Sequence, residues 1–201
     1  QNTITKLNLD YFLLPNSDEF GSEYLPKYAK RLHFVTGFTG SNAFAIIGST
    51  KNKSAFFTDG RYTLQAASEV DKKDFEIYNL SEKSPLNWLL ELESTSSRRK
   101  SGSISKAHHI FKMDPDLRRD DDALDHNGKI KIGFDPTLHN INSIQNYQKY
   151  FGENLIALEK NPVDSIWKNQ PKPPNTKVFK HSKKYSGLSL QEKIKKVLEK
   201  K

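Results

Sequence analysis

Two strand-sized apolar runs, Ala43-Phe-Ala-Ile-Ile-Gly48 and Ser54-Ala-Phe-Phe-Thr58, are separated only by the polar loop Ser49–Lys53. So short a separation directs them into an antiparallel hairpin. A lone hairpin is marginal in water, so it needs further strands and covering helices. The chain offers both. Asp10-Tyr-Phe-Leu-Leu-Pro15 reads as a buried strand closed by proline, and Phe75–Leu80, Lys129–Asp135 and Leu155–Leu158 read as three more. Between them lie segments with helical spacing. Ile4 and Leu7 mark one in residues 1–7. Tyr24, Leu25, Tyr28, Leu32 and Val35 mark a helix over Glu23–Val35 with Pro26 in its first turn. Tyr62, Gln65, Ala66, Glu69 and Val70 mark the next. Leu86, Trp88, Leu89 and Leu90 follow Ser84-Pro85, and Ile141, Ile144, Tyr147 and Tyr150-Phe151 share one side of the last. Strands interleaved with helices predict an α/β domain, and the hairpin makes its sheet mixed.

Two stretches fall outside this pattern. Residues 94–127 are charged, show no sustained period and read as a disordered insertion into a domain spanning 1–167. Residues 168–188, with Gln170-Pro-Lys-Pro-Pro174, read as a stiff Pro- and Lys-rich linker. Ser189 then caps a helix with Leu190, Ile194, Val197 and Leu198 on one stripe. Residues 189–201 are expected to be the first helix of a truncated second domain, its partner surface lying outside this chain. The sequence begins at Gln1, so it is expected to be a piece of a longer protein.

Charge limits the function classes. The net charge is +8, yet 11 of the 32 Lys and Arg and only two of the 24 Asp and Glu lie after Trp167. The folded part is near neutrality, whereas a nucleic-acid surface spreads its basic residues over the globular body. No nucleic-acid partner is therefore expected. No apolar run approaches the ~20 residues of a membrane span, so no membrane partner is expected either. Cysteine is absent, which removes disulfides and thiolate catalysis and fits a reducing, cytoplasmic compartment.

Few residues suggest chemistry. Gly37-Phe-Thr-Gly40-Ser41 lacks the Lys-Ser/Thr ending of a phosphate loop and leads into a strand, so it reads as a tight turn. His108-His109 with Asp114, Asp116, Asp120-Asp121-Asp122, Asp125 and His126 has metal-binding composition without a metal-ligand spacing. No catalytic residue and no metal ligand is assigned in this chain. The most informative tetrad is Asp59-Gly60-Arg61-Tyr62, between a strand and a helix. Gly60 permits a sharp turn there. Asp59 can cap the helix. Arg61 is thrown to the sheet edge, free either to grip a carboxylate in two places or to form a surface ion pair.

That tetrad sits within a longer resemblance. Ser22-Glu-Tyr-Leu-Pro-Lys-Tyr-Ala-Lys-Arg-Leu-His-Phe-Val-Thr-Gly-Phe-Thr-Gly-Ser41 and Ala55-Phe-Phe-Thr-Asp-Gly-Arg-Tyr-Thr-Leu-Gln-Ala-Ala67 are similar to the N-terminal domain of Xaa-Pro aminopeptidases, in the creatinase/prolidase N-terminal family. Ile132-Gly-Phe-Asp-Pro136 and Asn161-Pro-Val-Asp-Ser-Ile-Trp-Lys168 extend the likeness, and Tyr185–Lys193 resembles the start of a second domain in the longer members. The resemblance implies a ribonuclease-H-like mixed sheet flanked by helices. It implies a parent enzyme that removes an N-terminal residue preceding proline and forms homo-oligomers. It also implies two divalent metal ions, manganese, held in a later domain that this chain does not reach. The chain alone is then noncatalytic. In the creatinase branch the arginine matching Arg61 binds the substrate carboxylate, so Arg61 is the implied substrate contact, supported by Asp59 and Tyr62. The same fold also occurs in catalytically dead relatives, which leaves a protein-binding module as the second reading. Phe111-Lys-Met-Asp-Pro115 with Arg118-Arg-Asp-Asp-Asp122 resembles peptide encoded by palindromic repeats inserted into genes of some obligate intracellular bacteria.

Overall fold

A computed structural model of the chain describes residues 1–100 and 130–199. Its centre is a six-stranded sheet made of β1 (Tyr11–Pro15), β2 (Ala43–Gly48), β3 (Ser54–Thr58), β4 (Phe75–Asn79), β5 (Ile132–Phe134) and β6 (Leu155–Ala157), in the spatial order β4-β3-β2-β1-β5-β6. The hairpin forms as its short loop requires, with Ala43 opposite Thr58 and Ile46 opposite Ala55. β2 is antiparallel to both neighbours, while the pairs β3–β4, β1–β5 and β5–β6 are parallel. Five strands therefore share one direction, and their carboxyl ends lie on one side of the sheet.

Alternation along the strands divides the core into two layers. Phe12, Leu14, Ala45, Ile47 and Phe56 point to one face. They meet Ile4 of α1 (Asn2–Lys6), Leu32 of α2 (Arg31–Thr36), Ala66 of α3 (Thr63–Glu69) and Val163 of α6 (Pro162–Ile166). Tyr11, Leu13, Ile46, Ala55 and Phe57 point to the other. They meet Trp88 and Leu89 of α4 (Pro85–Lys100) and Tyr147 and Phe151 of α5 (Ile141–Phe151). Trp88 stands edge-on to Tyr11 at 5.5 Å between centroids. Phe12, Phe56 and Phe57 are fully buried, each worth about 1.5–3 kcal/mol of transfer free energy. Gly48 is demanded by space, because a Cβ there would stand 2.5 Å from the Asn52 carbonyl oxygen in the hairpin loop.

Several local expectations change. The segment Glu23–Val35 is not one helix. Pro26 is extended (ψ 158°), a 3-10 turn follows at Lys27–Ala29, and Lys30 (ψ 48°) interrupts the chain before α2. Tyr24, assigned to the buried stripe, is 83% exposed. Leu7, Ile141 and Tyr150 also face solvent. α4 continues past Ser94 to Lys100, into the stretch expected to lack structure. Residues 101–129, which include most of that stretch, lie outside the described residues.

The chain divides into a unit Gln1–Pro171 and a second unit Lys172–Lys201. In the second, Ser182 caps the short α7 (Lys183–Ser186), within the stretch read as linker. Ser189 and Glu192 form a reciprocal capping box on α8 (Leu190–Leu198), the helix that Ser189 announces. Leu190, Ile194, Val197 and Leu198 are exposed. Residues 171–182 carry no helix or strand and every one is exposed. Limited trypsin digestion should therefore cut after Lys177 and Lys180 before it cuts after Lys131 or Lys149, as mass spectrometry of early fragments would show. Resistance at Lys177 and Lys180 would mean that this stretch is covered.

Candidate functional site

In open α/β sheets, ligands bind beyond the carboxyl ends of the strands. Here that side collects Asn16 after β1, Asp59–Tyr62 after β3 and Asp135–His139 after β5, together with the Gly37–Asn42 turn that enters the reversed strand β2. The backbone turns after Thr58, and the Asp59 Oδ1 accepts the Arg61 backbone N–H at 2.9 Å. The same carboxylate takes the Arg61 guanidinium in two places, from Nε at 3.1 Å and from Nη2 at 2.8 Å. The Asn42 amide donates to Asp59 Oδ2 at 2.6 Å. Arg61 and Asn42 together hold the Asp59 carboxyl well below the usual carboxylate range. The Arg61 side chain is nevertheless 71% exposed.

Tyr62 completes the arrangement. Its ring lies 5.3 Å from the Arg61 guanidinium carbon, its hydroxyl meets the Ser41 hydroxyl at 2.8 Å, and its edge packs on Phe38. Gly40 lets these rings close, since a Cβ there would come within 2.4 Å of Phe38. Beside Ser41 opens a cleft of about 180 Å³ lined by Asn16, Glu23, Tyr24, Lys30 and His33. The structure thus brings Asp59, Arg61 and Tyr62 together.

Two expectations at the tetrad are corrected. Asp59 does not cap α3: the N-cap position is Tyr62 and has no side-chain cap bond, because the Asp59 carboxylate is already spent on Arg61 and Asn42. Gly60 is not required by backbone conformation either, since its φ is not positive and a Cβ would meet nothing nearer than 3.9 Å. Sequence reasoning missed Asn42 and Ser41. The hairpin register was the available signal: with Ala43 opposite Thr58, the next rung sets Asn42 opposite Asp59.

The remaining motifs of the resemblance hold the domain together. Asp135 accepts from the Thr137 backbone N–H at 3.0 Å and from the Asn161 amide at 2.9 Å. Asn161 in turn caps α6. Asp164 receives Arg31 from Nε at 2.7 Å and from Nη2 at 3.0 Å, and Trp167 stacks on Phe34 at 4.7 Å. Beyond β5, the partly buried His139 ring lies between Phe44 and Phe134, and its Nε2 is buried with no hydrogen-bond partner. Burial lowers its pKa to about 4, against the opposing pull of Asp135 and the Leu13 backbone.

Among the described residues no three His, Cys, Asp or Glu side chains are grouped to hold a metal ion, so no metal site can be built from them. The cluster from His108 to His126 lies outside the described residues. No described helix is long and apolar enough to cross a membrane.

Comparison with known proteins agrees with this architecture. The creatinase/prolidase N-terminal domain profile matches residues 1–165. A probable Xaa-Pro aminopeptidase P of Coprinopsis cinerea is 33% identical over 96% of this chain and 26% of its own length. The crystal structure of an X-prolyl aminopeptidase from Caenorhabditis elegans, described as a cytosolic enzyme with a di-nuclear active site, superposes with a TM-score of 0.65 at 25% identity. That match covers 96% of this chain and 26% of the worm protein. An aminopeptidase P structure from Streptococcus thermophilus shares the fold, with a TM-score of 0.50 at 20% identity over 82% of this chain and 89% of its own. The chain spans about a quarter of the length of the fungal and worm proteins. With two helix-covered layers on a six-stranded mixed sheet and a profile match over most of its length, the chain belongs to the creatinase/prolidase N-terminal domain family.

Proposed function

We propose that this domain is the noncatalytic N-terminal part of a metal-dependent Xaa-Pro aminopeptidase and forms one wall of its peptide site. The observation that carries this reading is the Arg61 guanidinium, fixed by Asp59 and Tyr62 yet open to solvent beyond the strand carboxyl ends. The parent removes an N-terminal residue that precedes proline. Two divalent ions, manganese, would be held by a catalytic domain outside this chain, where they would supply a water activated for attack. The di-nuclear active site of the worm relative supports a pair of metal ions in the parent. Exposed Leu64 and Tyr24 give the same end of the domain apolar surface for a neighbouring subunit of a homo-oligomer. The cysteine-free sequence and the cytosolic worm relative support a cytoplasmic location, and the repeat-like segment 111–122 supports a bacterial source.

In the full-length parent, Arg61→Ala should lower kcat/KM for Xaa-Pro peptides by about tenfold to a hundredfold, the value of a charge-assisted contact. Arg61→Lys should recover only part, because an ammonium cannot keep both Asp59 bonds and the stacking on Tyr62. The melting temperature should barely move, since exposed positions usually contribute within about 0.5 kcal/mol. Unchanged kcat/KM in Arg61→Ala would end the substrate-contact reading. A lowered melting temperature with intact kinetics would make the Asp59–Arg61 pair purely structural.

A further inference from the structure

Resting on that reading, we infer that Glu69 is a positioning residue for the peptide site: it pins the turn from which Ser41 and Asn42 hold Tyr62 and Asp59 around Arg61. The geometry starts on α3. Tyr62 stands at the N-cap of this helix and Glu69 is its last residue. They are separated by about two helical turns, so both project on the same side, with Gln65 between them. That side takes hold of the Gly37–Asn42 turn at two points. At one end the Tyr62 hydroxyl meets the Ser41 hydroxyl at 2.8 Å. At the other, Glu69 Oε2 accepts the Thr39 backbone N–H at 2.7 Å and Glu69 Oε1 accepts the Thr39 hydroxyl at 2.8 Å. The Gln65 amide braces this second grip, donating to Thr39 Oγ1 at 2.7 Å and to Glu69 Oε1 at 3.0 Å.

The turn needs such a grip because its own backbone is pliable. It leaves α2 through Gly37 in the left-handed region (φ 76°), and a Cβ on Gly37 would stand 3.2 Å from the Glu69 carbonyl oxygen, so turn and helix end are in close approach. The second half of the turn is held from β1, where the Asn16 amide donates to the Ser41 carbonyl at 2.8 Å. The first half is held from α3 by Glu69. The Thr39 N–H is the strongest of the influences that keep the Glu69 carboxyl below the usual carboxylate range, so the group is ionised and offers both oxygens as acceptors. Ser41 and Asn42 follow Thr39 within the same short turn. A shift at Thr39 is therefore carried to the hydroxyl that meets Tyr62 and to the amide that holds Asp59. Tyr62 and Asp59 in turn fix the guanidinium. By this account Glu69 acts through the turn, and the residue in contact with substrate is Arg61. Small displacements of a substrate-holding group weaken catalysis even when they start at a distance from it.

The test uses the full-length, metal-loaded parent with Xaa-Pro tripeptides. Glu69→Ala should lower kcat/KM by about threefold to tenfold, less than the loss of Arg61 itself. Glu69→Gln should recover most of it, because the amide oxygen still accepts the Thr39 N–H. The decisive comparison is made without Arg61: in an Arg61→Ala background, adding Glu69→Ala should change kcat/KM by no more than about twofold, since the group it positions is gone. Thr39→Val deletes only a hydroxyl at an exposed position, so it serves even if Glu69→Ala does not fold. It should reproduce part of the loss and be equally silent without Arg61. An undiminished loss on top of Arg61→Ala would overturn the inference, because the clamp would then serve the fold alone. So would native kcat/KM in a folded Glu69→Ala protein. Failure of the underlying reading looks different: Arg61→Ala by itself would leave kcat/KM untouched, and the inference would fall with it.

Discussion

Asp164→Ala should destabilise the domain by about 2 kcal/mol, between the losses expected for a surface pair and for a buried one, because Arg31 is largely buried while Asp164 keeps 35% of its side chain exposed. Arg31 projects from α2 with only 13% of its side chain exposed, and its Nη1 is already buried without an acceptor. Asp164 supplies the two bonds that its guanidinium makes there, at 2.7 and 3.0 Å, and also accepts the Gln170 amide at 2.8 Å. Without it the guanidinium stays desolvated and unpaired. For a domain of this size the melting temperature should fall by roughly 4–8 °C. Asp164→Asn should lose less, since one acceptor oxygen remains. The double change Arg31→Met with Asp164→Leu should recover much of the stability, because an apolar pair of similar volume leaves no charge stranded. A drop below about 1 kcal/mol for Asp164→Ala would show that the pair is effectively a surface contact.

The second large effect depends on pH. His139 titrates near 4 in the folded protein and near 6.5 when the chain is unfolded. Below 6.5 the unfolded state therefore takes up a proton that the folded state refuses. The contribution is complete above pH 6.5 and is lost as pH falls through the folded value. Between pH 7 and pH 5 this amounts to about 2 kcal/mol of unfolding free energy, and the full span approaches about 3 kcal/mol. The physical source is local. A proton on Nε2 would place a charged N–H where the side chain has no acceptor, between the Phe44 and Phe134 rings. Stopping at pH 5 keeps the measurement above the range of Asp59 and Glu76, whose pKa values are lowered. Urea denaturation at the two pH values should show the loss in the native protein and a nearly flat response in His139→Phe. An equal loss in both would remove His139 as its source.

The elements most legible in the sequence were those fixed by local rules. The Ser49–Lys53 loop dictated the β2–β3 hairpin, and α5 runs over the same Ile141–Phe151 span that its apolar spacing marks, with Asn140 capping it. What spacing could not reveal is which part of a stripe meets the sheet. In α5 only Tyr147 and Phe151, four residues apart on one face, are buried; Tyr150, one residue before Phe151, is turned about 100° off that face, and Ile141 in the first turn is exposed. The Glu23–Val35 stripe failed for a stronger reason. Pro26 favours an extended residue before it and donates no N–H, so the turn could not propagate backwards to Glu23. At the site, the tetrad was visible as a strand–turn–helix junction with a carboxylate and a guanidinium two residues apart. Its anchors, Asn42 and Ser41, are distant in sequence and become neighbours only once the hairpin register is set.

That register has a kinetic meaning as well as a geometric one. Asn42 and Asp59 face each other one rung beyond the Ala43–Thr58 pair, in a hairpin closed by a short loop. Hairpins of this kind form in about 1–10 μs, well before strands far apart in sequence, such as β1 and β5, can meet. The frame that grips Arg61 can thus assemble from a contiguous stretch of chain without waiting for the rest of the sheet. The same economy carries a vulnerability: a slip of one residue in β2 against β3 would turn Phe44 off the face that Phe57 keeps and part Asn42 from Asp59 in a single error. Core packing and the geometry of the arginine site are thereby proofread by one and the same pairing event.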